Sequence, residues 1–229
     1  MKLSIIVPVF NEDKTIIAIL KTVNSVDYKI QSEIIIVDDG STDETNKKLH
    51  EAKGIMKNIK IFSYKKNKGK GYATRVGIKK ATGDILIVQD ADMEYSPSDI
   101  PNLLKPILMG ETKVVYGSRF LGECKNMIFP NLVANKILTH MTNIFFGSKL
   151  TDMETGYKII KREVLDSIIL ESDGFEMEAE ITAKILKNNY KIVELPISYK
   201  ARTKGEGKKI SWIDGIKNLL VLLKIRLDL

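Results

Sequence analysis

Ile85-Leu86-Ile87-Val88-Gln89-Asp90-Ala91-Asp92 decides how this chain folds. Its first four residues form an unbroken apolar run, the pattern of a strand buried on both faces of a parallel sheet. The chain then turns acidic at once. Alternate residues of an extended segment point the same way, so Asp90 and Asp92 can converge on one hard cation. Mg2+ or Mn2+ held by one or two carboxylates keeps its other positions for water and phosphate oxygens. An acidic loop that caps the next helix is the competing reading.

The same arrangement recurs upstream. The run 3–9 is apolar and leads into Pro8-Val9-Phe10-Asn11-Glu12. A second run, 33–37, ends in Asp38-Asp39-Gly40-Ser41-Thr42, where a carboxylate can accept hydrogen bonds from a base or ribose and Gly40 lets the chain turn. Further strands are expected at 59–64 and 114–117. Helices are expected at 15–23, at 70–80, and after Ser96-Pro97-Ser98-Asp99, where Ser96 can cap and Pro97 suits the first helical position. Another should open at Ser41-Thr42-Asp43-Glu44, which has capping-box spacing, and run toward Ala52. Alternating strands and helices imply a mainly parallel α/β sheet with right-handed crossovers. Ligands of such sheets sit outside the carboxyl ends of the strands. The polar clusters, including Gly117-Ser118-Arg119, fall at those ends.

The second half reads differently. An amphipathic helix is expected at 131–146, with Leu132, Leu138, Met141 and Phe145 on one side. Helices follow at 161–170 and 178–187, short strands at 191–195 and 197–199 around Pro196, and a final helix at 211–227. That helix places Trp212, Ile216, Leu219, Leu220, Leu223 and Leu227 on one side. No repeat or low-complexity linker divides the 229 residues, so 1–229 is expected to form one domain.

With 44% hydrophobic and 28% charged residues the chain can bury a core and is not disordered. A single cysteine, Cys124, excludes an internal disulfide framework and fits a reducing compartment. The net charge of +7 suits a phosphate-rich ligand, an anionic membrane surface or nucleic acid. Zinc-ligand spacing and aromatic RNA-binding patterns are missing, so no nucleic-acid partner is expected. Pro8 and Asn11-Glu12-Asp13 interrupt the first apolar run too early for a secretory signal, and no run is long enough to span a bilayer. Asn67-Lys68-Gly69-Lys70-Gly71-Tyr72 lacks both the P-loop pattern and the third dinucleotide glycine, which argues against an NTPase and a dehydrogenase. Lys70 beside a diphosphate and a plain tight loop both remain open.

Taken in order and spacing, Pro8-Val9-Phe10-Asn11-Glu12, Val37-Asp38-Asp39-Gly40-Ser41 and Asp90-Ala91-Asp92 resemble the family 2 glycosyltransferases. The family has the GT-A fold, a Rossmann-like, mainly parallel sheet flanked by helices, and uses nucleotide-activated sugars. Gly117-Ser118-Arg119-Phe120, the stretch Thr151-Asp152-Met153-Glu154-Thr155-Gly156-Tyr157-Lys158 and Phe175-Glu176-Met177-Glu178 look like the dolichol-phosphate mannose synthase and polyprenyl-phosphate glycosyltransferase group. So does Leu195-Pro196-Ile197-Ser198-Tyr199 through Arg202, Gly205-Glu206 and Lys208. The chain departs in two places: Phe10 stands where a tyrosine is common, and Gly207 where a serine often precedes the lysine.

The resemblance implies that residues 1–117 bind the nucleotide sugar and that 118–229 form an acceptor-side extension. Pro8, Phe10, Glu12, Val37 and Asp39 would line the base and ribose pocket. Asp90 and Asp92 would hold the metal, with Ala91 against the nucleotide and Glu94 as a further ligand. Arg119, Arg202 and Lys208, with Lys70, would surround the phosphates. Without the resemblance these cations read as a surface salt bridge and a solvated charge run. Asp152 would position the acceptor or act as a base, and Glu178 is the other candidate. Read alone, the first is a turn cap and the second an exposed helix carboxylate.

The implied reaction is a single inverting displacement that moves a hexose from GDP-mannose or a UDP-hexose to dolichyl or another polyprenyl phosphate. Such an acceptor is already ionised near neutral pH. Helices 131–146 and 211–227 could lie in a membrane interface, which would make the protein peripheral on the cytoplasmic face. Packing against the core, a second copy or a separate membrane partner would account for the same faces. Transfer to a saccharide acceptor, a nucleotidyltransferase, and a basic binding module without turnover are the rival functions.

Overall fold

The computed structural model describes residues 1–56, 58–202 and 212–228. The elements are β1 (Lys2–Val9), α1 (Ile16–Ser25), β2 (Gln31–Asp38), α2 (Thr45–Ile55), β3 (Ile59–Ser63), α3 (Lys70–Lys80), β4 (Ile85–Val88), α4 (Ile100–Leu108), β5 (Val114–Lys125), α5 (Phe129–Phe146), β6 (Lys158–Lys161), α6 (Arg162–Asp166), α7 (Met177–Lys187), β7 (Ile192–Lys200) and α8 (Trp212–Leu227). The strands form one sheet in the order β3-β2-β1-β4-β6-β5-β7. Every neighbouring pair is parallel except those of β6, which runs antiparallel to both β4 and β5.

The continuous apolar runs are explained by two cores. Ile5, Val7, Ile34, Ile36, Ile85 and Ile87 face α1 and α4 on one side. Ile6, Ile35, Val37 and Leu86 face the other side, with Ala73 of α3 and Ile181 of α7. The inner residues of β1, β2 and β4 thus alternate between opposite cores, while β3 and the far ends of β5 and β7 turn side chains to water. Helix α3 lies close to the sheet because Gly77 permits it. A Cβ there would sit 2.3 Å from Cγ2 of Ile6.

The first four strands, α1, α3 and the 96–108 segment lie where the sequence places them. Four readings need correction. The 41–44 segment does not form a capping box: α2 begins at Thr45, with no side-chain cap. Ser41 Oγ instead accepts from the Asn11 amide of the neighbouring loop at 3.0 Å, and Asp43 Oδ1 accepts locally from the Thr45 amide, at the start of α2, at 2.9 Å. Residues 158–161, at the edge of the expected helix 161–170, form strand β6, and the helix is only α6. The short run Ile159-Ile160 has no readable period, and it is the free strand edges of β4 and β5 that extend it. Strand β5 continues past Gly117 to Lys125. The two strands around Pro196 are one, β7, tolerated because β7 ends the sheet and needs no amide on its outer side.

A third apolar cluster joins Leu138 of α5, Ala179 and Ala183 of α7 and Leu222 of α8. Helix α8 therefore turns Leu222 and Asn218 inward, while Ile216, Leu220 and Leu227 of its expected apolar face stay exposed. Phe129, Val133, Ile137 and Ile144 of α5 are exposed too. No helix among the described residues is long and apolar enough to cross a membrane.

Candidate active site

The carboxyl ends of β1, β2 and β4 lie side by side. Val9 pairs with Asp38, Ile6 with Val88, and the Asp39 amide donates to Val9 O at 2.8 Å. This register gathers three chain turns around one cavity of about 610 Å³. Pro8, Phe10, Glu12, Asp39, Lys70, Asp90, Ala91, Asp92, Glu94, Arg119, Glu178 and Arg202 all line it. Val37 and Asp152 do not. Val37 is fully buried in the core under α3. Lys208 lies outside the described residues.

Asp39 spends its carboxylate on the loop before α3, accepting from the amides of Lys68 at 2.9 Å and Gly69 at 2.7 Å. Burial raises its pKa. Gly40 makes the adjoining turn possible. It sits at φ +76°, and a Cβ there would lie 2.7 Å from the Asn67 nitrogen.

Lys70 opens α3, an unfavourable place for a cation next to the helix dipole. It is held there by Asp90, 2.7 Å away, and Glu178, 3.4 Å away. Burial alone would depress the ammonium, but the two carboxylates outweigh it and raise its pKa. Glu178 also pairs with Lys158. Burial would raise the Glu178 carboxyl, and the two lysines lower it.

The turn after β4 is tight. Met93 adopts φ +64°, and the Glu94 amide reaches back to Asp92 Oδ1 at 3.1 Å. Arg202 bridges Asp92 at 3.2 Å and Glu12 at 3.1 Å. Glu94 is engaged, accepting from the Arg202 amide at 2.7 Å and the Tyr199 hydroxyl at 2.6 Å. Among the described residues no three acidic, histidine or cysteine side chains converge as a ligand cluster. Asp90 and Asp92 line the cavity beside Glu12, Glu94 and Glu178. Burial, then Asp90 and Glu94, push the Asp92 carboxyl up to about 7 against the pull of Arg202. The two carboxylates are hard oxygen donors at the cavity, so they fit Mg2+ or Mn2+ with most positions left to phosphate and water.

Arg119 and Asp152 form a buried fork. Nε and Nη2 of Arg119 donate to the two carboxylate oxygens at 2.7 Å each, and the Arg119 amide adds a third bond at 2.9 Å. The 151–152 amides are in turn held by Glu194. Asp152 is fully enclosed, so its carboxylate serves Arg119 and not the cavity. Asn135 of α5 accepts from Arg119 Nη2 at 3.2 Å.

Some lining residues were given no role by sequence reasoning. Tyr95 has no cue in its neighbourhood, whereas Phe175 and Tyr199 lie inside the stretches that carry the resemblance. Glu154 lies inside the 151–158 motif, and Asn218 interrupts the inner face of α8, the one cue it offers.

The family model described as Glycosyl transferase family 2 matches residues 4–169. A dolichol-phosphate mannosyltransferase of Pyrococcus furiosus is 30% identical over 213 residues, which are 91% of this chain and 59% of that protein. A UDP-N-acetylglucosamine–dolichyl-phosphate N-acetylglucosaminyltransferase of Methanococcus voltae is 32% identical over 212 residues, 84% of this chain and 83% of that protein. The crystal structure of glucosyl-3-phosphoglycerate synthase from Mycobacterium tuberculosis matches with a TM-score of 0.77 at 20% identity, covering 98% of this chain and 80% of that one. The same synthase has been crystallised with Mg2+ and UDP. Sheet order, the carboxylates at the strand ends and the extent of these matches agree, and the chain belongs to glycosyl transferase family 2, with the GT-A fold.

Proposed function

We propose that this chain moves a hexose from a nucleotide sugar to a polyprenyl phosphate by one inverting displacement, with Mg2+ or Mn2+. One observation carries the reading: a single cavity is lined both by ionic groups and by apolar ones. Lys70, Arg119, Arg202, Asp90 and Asp92 line it together with Met127 and with Pro130, Ala134 and Leu138, which recur every four residues along one face of α5. The cations suit anionic phosphates, and the apolar strip suits the lipid chain of a polyprenyl acceptor. The Pyrococcus and Methanococcus relatives are named for dolichyl phosphate, which favours the same acceptor.

Asp90 and Asp92 would hold the metal, which when bound offsets charge on the departing nucleoside diphosphate. Glu12 and Asp92 aim the Arg202 guanidinium, and Asp152 aims that of Arg119, leaving its Nη1 edge for a phosphate oxygen. Lys70 adds a third cation, fixed by Asp90 and Glu178. Cations pre-set in this way stabilise charge as it develops, with no reorganisation at the moment of reaction. The acceptor phosphate needs no strong base, because its oxygen is already ionised. Asp152 and Glu178 then act as positioning residues. The exposed apolar residues of α5 and α8 would rest on the membrane that carries the acceptor, with residues 1–117 holding the donor and 118–229 the acceptor.

A donor panel tests this. GDP-mannose, UDP-glucose and UDP-N-acetylglucosamine are each offered with a polyprenyl phosphate, with and without chelator. Chelator-sensitive formation of one lipid-linked sugar is expected. Glycosylation of a free saccharide in place of the lipid would overturn the acceptor.

A further inference from the structure

Glu154 and Asn218 meet at the cavity wall from different parts of the chain, the 151–157 turn and helix α8. Asn218 Nδ2 donates to both carboxylate oxygens of Glu154, at 2.9 and 2.8 Å. Asn218 is 3% exposed, and its carbonyl Oδ1 is buried with no hydrogen-bond partner among the described residues. Both residues line the cavity. While Glu154 is ionised the amide cannot be reversed, because Oδ1 would then face a carboxylate, acceptor against acceptor. A buried carbonyl without a partner is costly, and such groups in native proteins usually have a ligand, water or function.

The chemistry of this corner is selective. It offers acceptors: Oδ1 of Asn218 and the remaining lone pairs of Glu154. A phosphate brings acceptors and negative charge, so it is repelled. A hydrocarbon chain can satisfy neither group. A sugar hydroxyl donates one hydrogen bond and can still accept another. We propose that Glu154 and Asn218 recognise hydroxyls of the transferred hexose and so decide which sugar is taken. The proposal rests on the reading that the donor is a nucleotide sugar, and it concerns the sugar alone.

Burial pushes the Glu154 carboxyl up to about 7, with Lys158 and Arg119 opposing and Glu178 and Asp152 adding to the rise. The group can thus either accept from or donate to a hydroxyl near neutral pH.

Calorimetric binding separates sugar from nucleotide. UDP, GDP, UDP-glucose, UDP-N-acetylglucosamine and GDP-mannose are titrated into the full chain in Mg2+, for wild type, Glu154→Gln, Asn218→Leu and the milder Asn218→Ser. Whichever nucleotide sugar the wild type prefers should weaken by about ten-fold or more in the variants, while its bare nucleotide changes by less than about two-fold. Asn218→Ser keeps the test valid if the leucine variant fails to fold. Equal weakening of sugar and bare nucleotide, or no weakening of either, would overturn the assignment. So would a wild type that binds nucleotides but gains nothing from the sugar. A wild type that binds none of the five would remove the donor reading itself, and this corner with it.

Discussion

The two halves of the sheet handle charge differently. In the first, Asp39, Asp90 and Asp92 sit one, two and four residues past the ends of β2 and β4, and the strand register brings those ends together. In the second, charged groups are matched far along the chain, Arg119 with Asp152 and Lys158 with Glu178, and most of them are buried. In the first half Asp90 and Asp92 line the cavity. In the second Arg119 lines it, its direction fixed by Asp152. A carboxylate in this fold is therefore assigned by its partner, and its residue type alone is a poor guide.

Asp92→Asn should have the largest effect. Lipid-linked sugar formation is expected to fall by about 1,000-fold or more, with little change in melting temperature. Unchanged turnover would show that the β4 end does not carry the chemistry.

Asp152→Ala probes the other half. It strands the Arg119 guanidinium in the interior, and loss of about 3–5 kcal/mol in urea denaturation is expected. Full stability combined with lost transfer would place Asp152 in the reaction itself and blur the contrast.

The outer surface gives a smaller effect. Ile216→Asp with Leu220→Asp should weaken sedimentation with anionic vesicles by about ten-fold, and leave turnover of a short-chain acceptor intact. Equal loss in both assays would mean that this face packs against protein.

The smallest effect is one of pH. Glu154 rises from its usual 4.5 to about 7 in the folded chain, so between those values the folded state binds the extra proton. Stability from this group therefore falls as pH rises through that window. Glu154→Gln should flatten that part of the melting profile. An unchanged slope would show that burial does not perturb this carboxyl.

Residues 85–92 already announce a buried strand that ends in acid, and the same holds for 3–9 and 33–39. Strand burial and strand-end polarity are local, since a run of Ile and Val has one place to go in a two-sided sheet. Helix α3 was legible to the residue because it lies between the glycine-containing loop at 67–69 and the Thr82-Gly83 turn. Tertiary structure alone decided the rest. Strand β6 exists because β4 and β5 leave room for an antiparallel insert. Arg119 finds Asp152 across 33 residues, Asn218 finds Glu154 across 64, and Lys70 finds Glu178 across 108. Over such separations a carboxylate's partner depends on sheet order and helix packing, which no local pattern encodes. The sequence by itself determined where the polar groups gather; the fold decided which of them face the ligand and which face each other.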